Sequence, residues 1–342
     1  MSTSSQTSAI RRFREFGGWR LVWQYVRLGV LPGIVCDALW CIFHGKSAKT
    51  LYARVGERMG KVLCQKYGAM ALKEVDKGAM DGAAKEKDAK RQKISQARPK
   101  VWTAWLQCYD QAPLLVKACI ASLRRYMPEY DVIVIDADNL SQYIDMPEWL
   151  TEKYRRGIIP NALFSDLIRL ELLIRHGGLW VDSSILMTDP DLLTNRKWLT
   201  DILEAPLFMF QYRHPATHAY LGISNWCIGA QPNQWALVKL RNMLWAYWRE
   251  YDCVLDYYIF HRFFDLIVNA HPDVLDLMPL RRSNFSLRLR NHMAENYSST
   301  WWAELTAHVC LHKLNYRKAT EAEANADSYY NVAIMQHGNT AE

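Results

Sequence analysis

The stretch from Asn161 to Asp189, NALFSDLIRLELLIRHGGLWVDSSILMTD, narrows what this chain can fold into more than any other. Leu163, Leu167, Leu170 and Ile174 recur at helical spacing, and Leu172 and Leu173 widen the stripe, so an amphipathic helix is expected. Asp166 and Arg169 stand three apart and can meet on that helix. Gly177-Gly178 ends it, because glycine enters left-handed geometry without steric cost. Leu179-Trp180-Val181 then reads as a short buried strand with Asp182 at its exit. Helix, double glycine, strand and carboxylate together describe an α/β chain presenting an acid at the carboxyl end of its sheet.

The 342 residues suffice for one large α/β domain with an appendage, or for two modest domains. The eight cysteines show no CxxC or Cys/His spacing, so neither a zinc site nor a disulfide framework is signalled. Charge is uneven: residues 1–100 carry 20 Lys/Arg against 8 Asp/Glu, and the remainder 22 against 27. A basic head on a mildly acidic body suits an anionic partner.

We divide the chain into a basic helical head and linker at 1–98, a body at 99–320 and a surface or disordered tail at 321–342. In the head, Arg11-Arg12-Phe13-Arg14 and Gly17-Gly18-Trp19-Arg20 precede an apolar stretch, Leu28 to Phe43, that Pro32-Gly33 interrupts. It is too short and broken for a spanning helix and lacks a signal-peptide cleavage site. It fits an amphipathic segment lying on an anionic membrane and a helical hairpin docked on the body, two readings that are compatible. A helix is expected from Lys46 to Tyr67, and a solvated helix or linker from Lys73 to Lys100. No nucleic-acid motif accompanies the basic run, so a nucleic-acid partner is not expected.

The body opens on a strand at Lys100 to Trp105. A helix at Leu114 to Tyr126 and a second strand at Asp131 to Ile135 follow, the start of a parallel sheet covered by helices. Further strands are expected at Pro206 to Phe210 and Ser224 to Ala230, with helices at 234–250 and 254–269.

With Ser165-Asp166-Leu167-Ile168-Arg169-Leu170 and His176-Gly177-Gly178-Leu179-Trp180-Val181-Asp182 in place, the body resembles the capsular polysaccharide synthesis proteins. These are related to family 32 glycosyltransferases of the DXD type. The resemblance extends through Val101 to Trp105, Ser224-Asn225-Trp226, Asp256-Tyr257-Tyr258 and His312-Lys313, and through the Gly-Gly-Trp head. It implies a GT-A-like α/β fold, a mostly parallel sheet flanked by helices, with an N-terminal basic helical extension. It also implies transfer of a sugar from a nucleotide-sugar donor to a growing, lipid-linked glycan, with retention at the anomeric carbon. The implied setting is cytoplasmic, peripheral on the inner face of a membrane.

Carried over residue by residue, Trp102 and its neighbours, Trp105 among them, line the donor's base and ribose pocket. Asp166 and Arg169 reach the donor's ribose, sugar hydroxyls or diphosphate. Asp182 is the first aspartate of the metal-and-diphosphate motif, holding Mn²⁺ or Mg²⁺. Gly178, Ser184, Asn225, His312 and Lys313 complete the donor-binding set. Ser184 stands where the motif has a second aspartate, which weakens the metal's protein ligand set.

Other readings of the same residues stay open. Asp166 and Arg169 also suit a structural ion pair, and Asp182 a carboxylate that orders its turn. Asp136 and Asp138 form a rival D-x-D that also fits a capped loop. Asp256 suits either an acceptor contact or a helix cap. A non-catalytic carbohydrate-binding or scaffold protein is the alternative to an enzyme. The lack of a G-x-x-x-x-G-K-[ST] run argues against a phosphotransferase.

Overall fold

The computed structural model describes residues 13–73, 98–192 and 195–337. Arg11 and Arg12, the linker between 74 and 97, and the end of the tail from 338 lie outside the described residues. The N-terminal helices are α1 (Trp19–Arg27), α2 (Leu31–Phe43) and α3 (Ala48–Leu72). Next come β1 (Lys100–Ala104), α4 (Leu114–Tyr126), β2 (Asp131–Ile135), α5 (Glu148–Arg155), α6 (Asn161–His176), β3 (Gly178–Val181) and β4 (Ile185–Met187). The remaining main elements are α7 (Asn195–Glu204), β5 (Leu207–Arg213), β6 (Tyr220–Ala230), α8 (Trp235–Glu250), α9 (Ile259–Ala270), α10 (Ser299–His308) and β7 (Leu311–Lys313).

The described residues fall into two compact units, the first built from Met1–Val75, Asp145–Glu171 and Trp235–Val274. It is helical. Ser47 caps α3 by accepting from the Thr50 N–H, and Met59, Leu63, Tyr67 and Ala71 line the buried side. That side packs on α9, with the Tyr67 and Phe263 rings 4.9 Å apart. At its far end the carbonyls of Ala71 and Lys73 each accept from Lys239 Nζ of α8 at 2.6 Å, which satisfies groups a helix terminus otherwise leaves bare. The head expected at 1–98 therefore does not stand apart. Its third helix shares a core with segments of the expected body, a partnership between residues 168 positions apart that no local pattern announces.

The second unit comprises Asp76–Ile144, Leu172–Gln234 and Leu275–Glu342. Its five-stranded sheet has the order β2-β1-β3-β6-β5. β1 pairs in parallel with β2 and β3, and β6 pairs antiparallel with β3 and β5. Four of the five strands run one way, so this is the mostly parallel sheet the sequence led us to expect. Val101, Leu179, Val181, Phe208 and Phe210 form its core with Leu123 of α4 and Leu199 and Ile202 of α7. Their continuous apolar character follows from burial on both faces.

A second, two-stranded sheet pairs β4 with β7 antiparallel. Behind it Leu186 packs with Leu289, Leu305, Tyr329, Tyr330 and Ile334. Residues 321–337 are thus not the surface tail expected of them, since Ala322, Tyr329, Tyr330, Ala333 and Ile334 are buried. Charged and polar neighbours had disguised five core-forming side chains in that segment.

Candidate functional site

The turn into β3 fixes where Asp182 comes out. Gly177 and Gly178 have φ of +68° and +99°. A Cβ on Gly178 would lie 2.4 Å from the Lys100 carbonyl oxygen, and one on Gly177 would lie 2.6 Å from Pro232 Cδ. Both positions therefore demand glycine for conformation and for space. Trp102 Nε1 donates to the Gly177 carbonyl at 2.9 Å and ties the turn to β1.

β3 runs between β1 and β6 with Leu179, Trp180 and Val181 buried. At its exit the Asp182 N–H donates to the Trp226 carbonyl at 2.8 Å, carrying the β6 ladder one residue further. Trp180 Nε1 donates to Asp182 Oδ1 at 3.1 Å, and Lys313 Nζ donates to Oδ2 at 2.8 Å. Lys313 also donates to Ser184 Oγ at 2.9 Å. The Ile185 N–H donates to the Asp182 carbonyl at 3.0 Å and closes the turn that brings Ser184 round.

The β4–β7 register supplies the lysine, with Ile185 opposite Lys313 and Leu186 opposite His312. Side chains alternate along a strand, so adjacent His312 and Lys313 face opposite ways. Lys313 meets Asp182 and Ser184, whereas His312 is buried, 3.1 Å from Thr188 Oγ1 and stacked near Trp302. Of the two residues expected to meet a diphosphate, only Lys313 reaches the Asp182 cluster. The side chains of Asp182 and Lys313 are 26 % and 21 % exposed, open enough to meet a ligand. Around them burial, reinforced by the Asp182 charge, pushes the Cys227 thiol well up, and burial does the same to Cys119 against the pull of Lys313. These thiols stay protonated.

Other expected donor contacts have different surroundings. Trp102 is fully buried and packs on Tyr143 and His176, so it supports the Gly-Gly turn instead of lining a pocket. Gly178 is spent on the close approach of β1. Trp105 is half-buried with its ring edge-on to Tyr316, and Asn225 is half-buried on β6 beside the Trp226 carbonyl that Asp182 uses. The rival Asp136-x-Asp138 is a capped loop, in which Asp136 Oδ1 accepts from the N–H groups of Asp138 and Asn139. Trp180 escaped the sequence reading as an Asp182 partner, although its i, i+2 spacing on a strand was the signal.

Asp166 and Arg169 belong to the other unit. They pair at 3.2 Å with side chains 9 % and 5 % exposed, and Arg169 also donates to the carbonyl and hydroxyl of Ser165. In the same unit His261 is held down to about 4 by burial, with help from the charges of Arg169 and Arg262. Asp256 accepts from the Tyr258 N–H at 2.8 Å and from Arg262 at 3.1 Å, which makes it an ordering group at the start of α9.

Whether a divalent cation fits the Asp182 cluster turns on its donor set. Magnesium and manganese seek several oxygen ligands. Here one carboxylate has both oxygens engaged by protein donors, and the nearby hydroxyl faces an ammonium. Among the described residues no group of three His, Cys, Asp or Glu side chains converges. These side chains do not make a divalent-cation site as they stand, because an ammonium already holds the position a cation would take.

Over residues 61–333 the chain matches the family described as capsular polysaccharide synthesis protein. It is 33 % identical over 92 residues to the O-glycosyltransferase braB of Annulohypoxylon truncatum, a match spanning 24 % of this chain and 22 % of that protein. The chain thus covers about a fifth of that curated relative's length. Among solved structures it is similar to the PaToxG glycosyltransferase, with 12 % identity and a TM-score of 0.35 over 84 % of this chain and 94 % of that one. It is also similar to mouse xyloside xylosyltransferase 1 in its apo form, with 14 % identity and a TM-score of 0.36 over 64 % and 97 % of the two chains.

Proposed function

The chain belongs to the capsular polysaccharide synthesis protein family, and from that premise we propose that it is a glycosyltransferase using a nucleotide-sugar donor. Its acceptor in this reading is a growing, lipid-linked polysaccharide or oligosaccharide, and transfer retains the anomeric configuration. It works on the cytoplasmic face of the membrane where such glycans are assembled.

One observation carries the reading: Lys313 is fixed by Asp182 and Ser184 at the carboxyl end of β3. An ammonium has three N–H groups, and these two acceptors take two of them. The third is available to a phosphate oxygen. When the bond from the sugar's anomeric carbon to the diphosphate breaks, the electron pair stays on the phosphate oxygen. A preorganised cation stabilises that growing charge. The acceptor hydroxyl bonds to the anomeric carbon and gives its proton to the departing phosphate, so no protein base is required. Asp182 keeps the lysine aimed.

Calorimetric titration with a panel of nucleoside diphosphates, with and without Mn²⁺, tests it on wild type, Asp182→Ala and Lys313→Ala. We expect metal-independent binding that weakens about 10–100-fold without Lys313, the range for a lost hydrogen bond to a charged group. Binding that requires Mn²⁺ and depends on Asp182 alone would return the leaving-group role to a metal. Binding without nucleotide-sugar turnover would favour the scaffold alternative, and no binding at all would overturn the donor site.

A further inference from the structure

Helix α2 is inside out. Its exposed positions are Pro32, Val35, Cys36, Leu39, Ile42 and Phe43, which follow one side of the helix at three- and four-residue steps. None is charged. The helix's single charged side chain, Asp37, lies buried on the other side, where Arg54 and Arg58 of α3 each reach it at 2.9 Å. A helix facing only water turns its charge outward and its apolar stripe inward. Here the ion pairs hold the apolar stripe in the open, with Ile42 73 % and Phe43 82 % exposed.

α1 repeats the pattern on a smaller scale. Trp19, Trp23 and Val26 share one face, and the two tryptophans are 81 % and 63 % exposed. Arg20 and Arg27 flank that face, and Lys46 and Lys49 follow Phe43. Exposed formal charges from Phe13 to Lys49 are Arg14, Arg20, Arg27, Lys46 and Lys49 against Glu15. Tryptophan beside arginine at the rim of an apolar stripe suits the boundary between lipid headgroups and acyl chains.

Length separates lying on a membrane from crossing one. The 9 residues of α1 and 13 of α2 span about 14 and 20 Å, against about 30 Å of hydrocarbon. The two helices meet at a bend of 115°, and no single helix among the described residues is long and apolar enough to cross a membrane. A second copy of this chain is a poorer occupant, since a symmetric contact would set like charges against each other.

We propose that α1 and α2 form a docking surface for an anionic lipid bilayer. Trp19, Trp23, Leu39, Ile42 and Phe43 enter the headgroup–acyl boundary, and Arg20, Arg27, Lys46 and Lys49 meet lipid phosphates. The inference stands independently of the transferase reading, because its probe is lipid and needs no donor.

The test is co-sedimentation of the full chain with phosphatidylcholine vesicles, with and without phosphatidylglycerol, at low and high salt. We expect binding to the anionic vesicles, weakened about tenfold by high salt or by omitting phosphatidylglycerol. Ile42→Asp combined with Phe43→Asp should abolish it while leaving thermal unfolding unchanged, because both side chains are exposed. Trp19→Ala combined with Trp23→Ala gives a second, milder reading should the aspartates disturb folding, and should weaken binding. Wild type staying in the supernatant with anionic vesicles would overturn the proposal. So would vesicle binding that both double variants retain. A wild-type dimer that the aspartate pair converts to monomer, with no vesicle binding, would assign the face to self-association and likewise overturn it.

Discussion

The ammonium of Lys313 lies 2.8 Å from Oδ2 of Asp182, joining the last strand of the small sheet to the end of the central strand of the large one. If that cation serves the leaving group, Lys313→Met should lower turnover about 10²–10³-fold, as loss of one oxyanion donor does. Stability should change by less than about 1 kcal/mol, because Asp182 is open enough to be hydrated. Steady-state rates beside urea unfolding check both halves.

Gly178→Ala should act oppositely, on folding before function. The residue has φ of +99°, and the new methyl would meet the Lys100 carbonyl at 2.4 Å. We expect about 2–4 kcal/mol of destabilisation, from backbone strain plus the forced separation of β1 and β3. The urea midpoint of the variant reads it directly.

Acid should weaken the helical unit through His261. Its pKa is lowered by burial and then by Arg169 and Arg262, from 6.5 to about 4, so the unfolded chain binds the proton more readily. Stability from this group is full above the unfolded value, falls as pH drops through the window toward 4, and then levels off. The loss across that window is about 3 kcal/mol. His261→Gln should flatten this part of the stability profile between those pH values.

Lys239→Met should destabilise α3 at its C-terminal end. The ammonium is buried and serves the carbonyls of Ala71 and Lys73. Methionine keeps the volume but removes the donor to Lys73 and leaves Ala71 to His271 Nε2, at a cost of about 1–3 kcal/mol. Hydrogen exchange of the last turn of α3 should quicken more than that of its first.

The sequence carried most of what lies between Asn161 and Asp182. The helix, the Gly-Gly turn and the strand follow from local periodicity and from a conformation that glycine alone tolerates. What it could not supply was phase and partnership. Strand period two says that His312 and Lys313 face opposite ways, but only pairing with β4 decides which one meets Asp182. The resemblance implies a ligand contact for Trp102, and a motif match carries no burial: its ring is buried and its Nε1 holds the Gly-Gly turn. The grouping of α3 with α8 and α9 depends on packing between distant segments, which local pattern cannot see.

Asp182 and Lys313 stand 131 positions apart, and β4 has β7 as its only strand partner in the small sheet. During synthesis, a nascent chain therefore carries Asp182 without its lysine until a further 131 residues have been added. A C-terminal truncation or early stop falling between Met187 and Leu311 would keep the Asn161–Asp182 motif intact on a gel or in a sequence search. It would nonetheless present an open β4 edge and a lone carboxylate, so an immunoblot against the N-terminal half would overcount competent molecules.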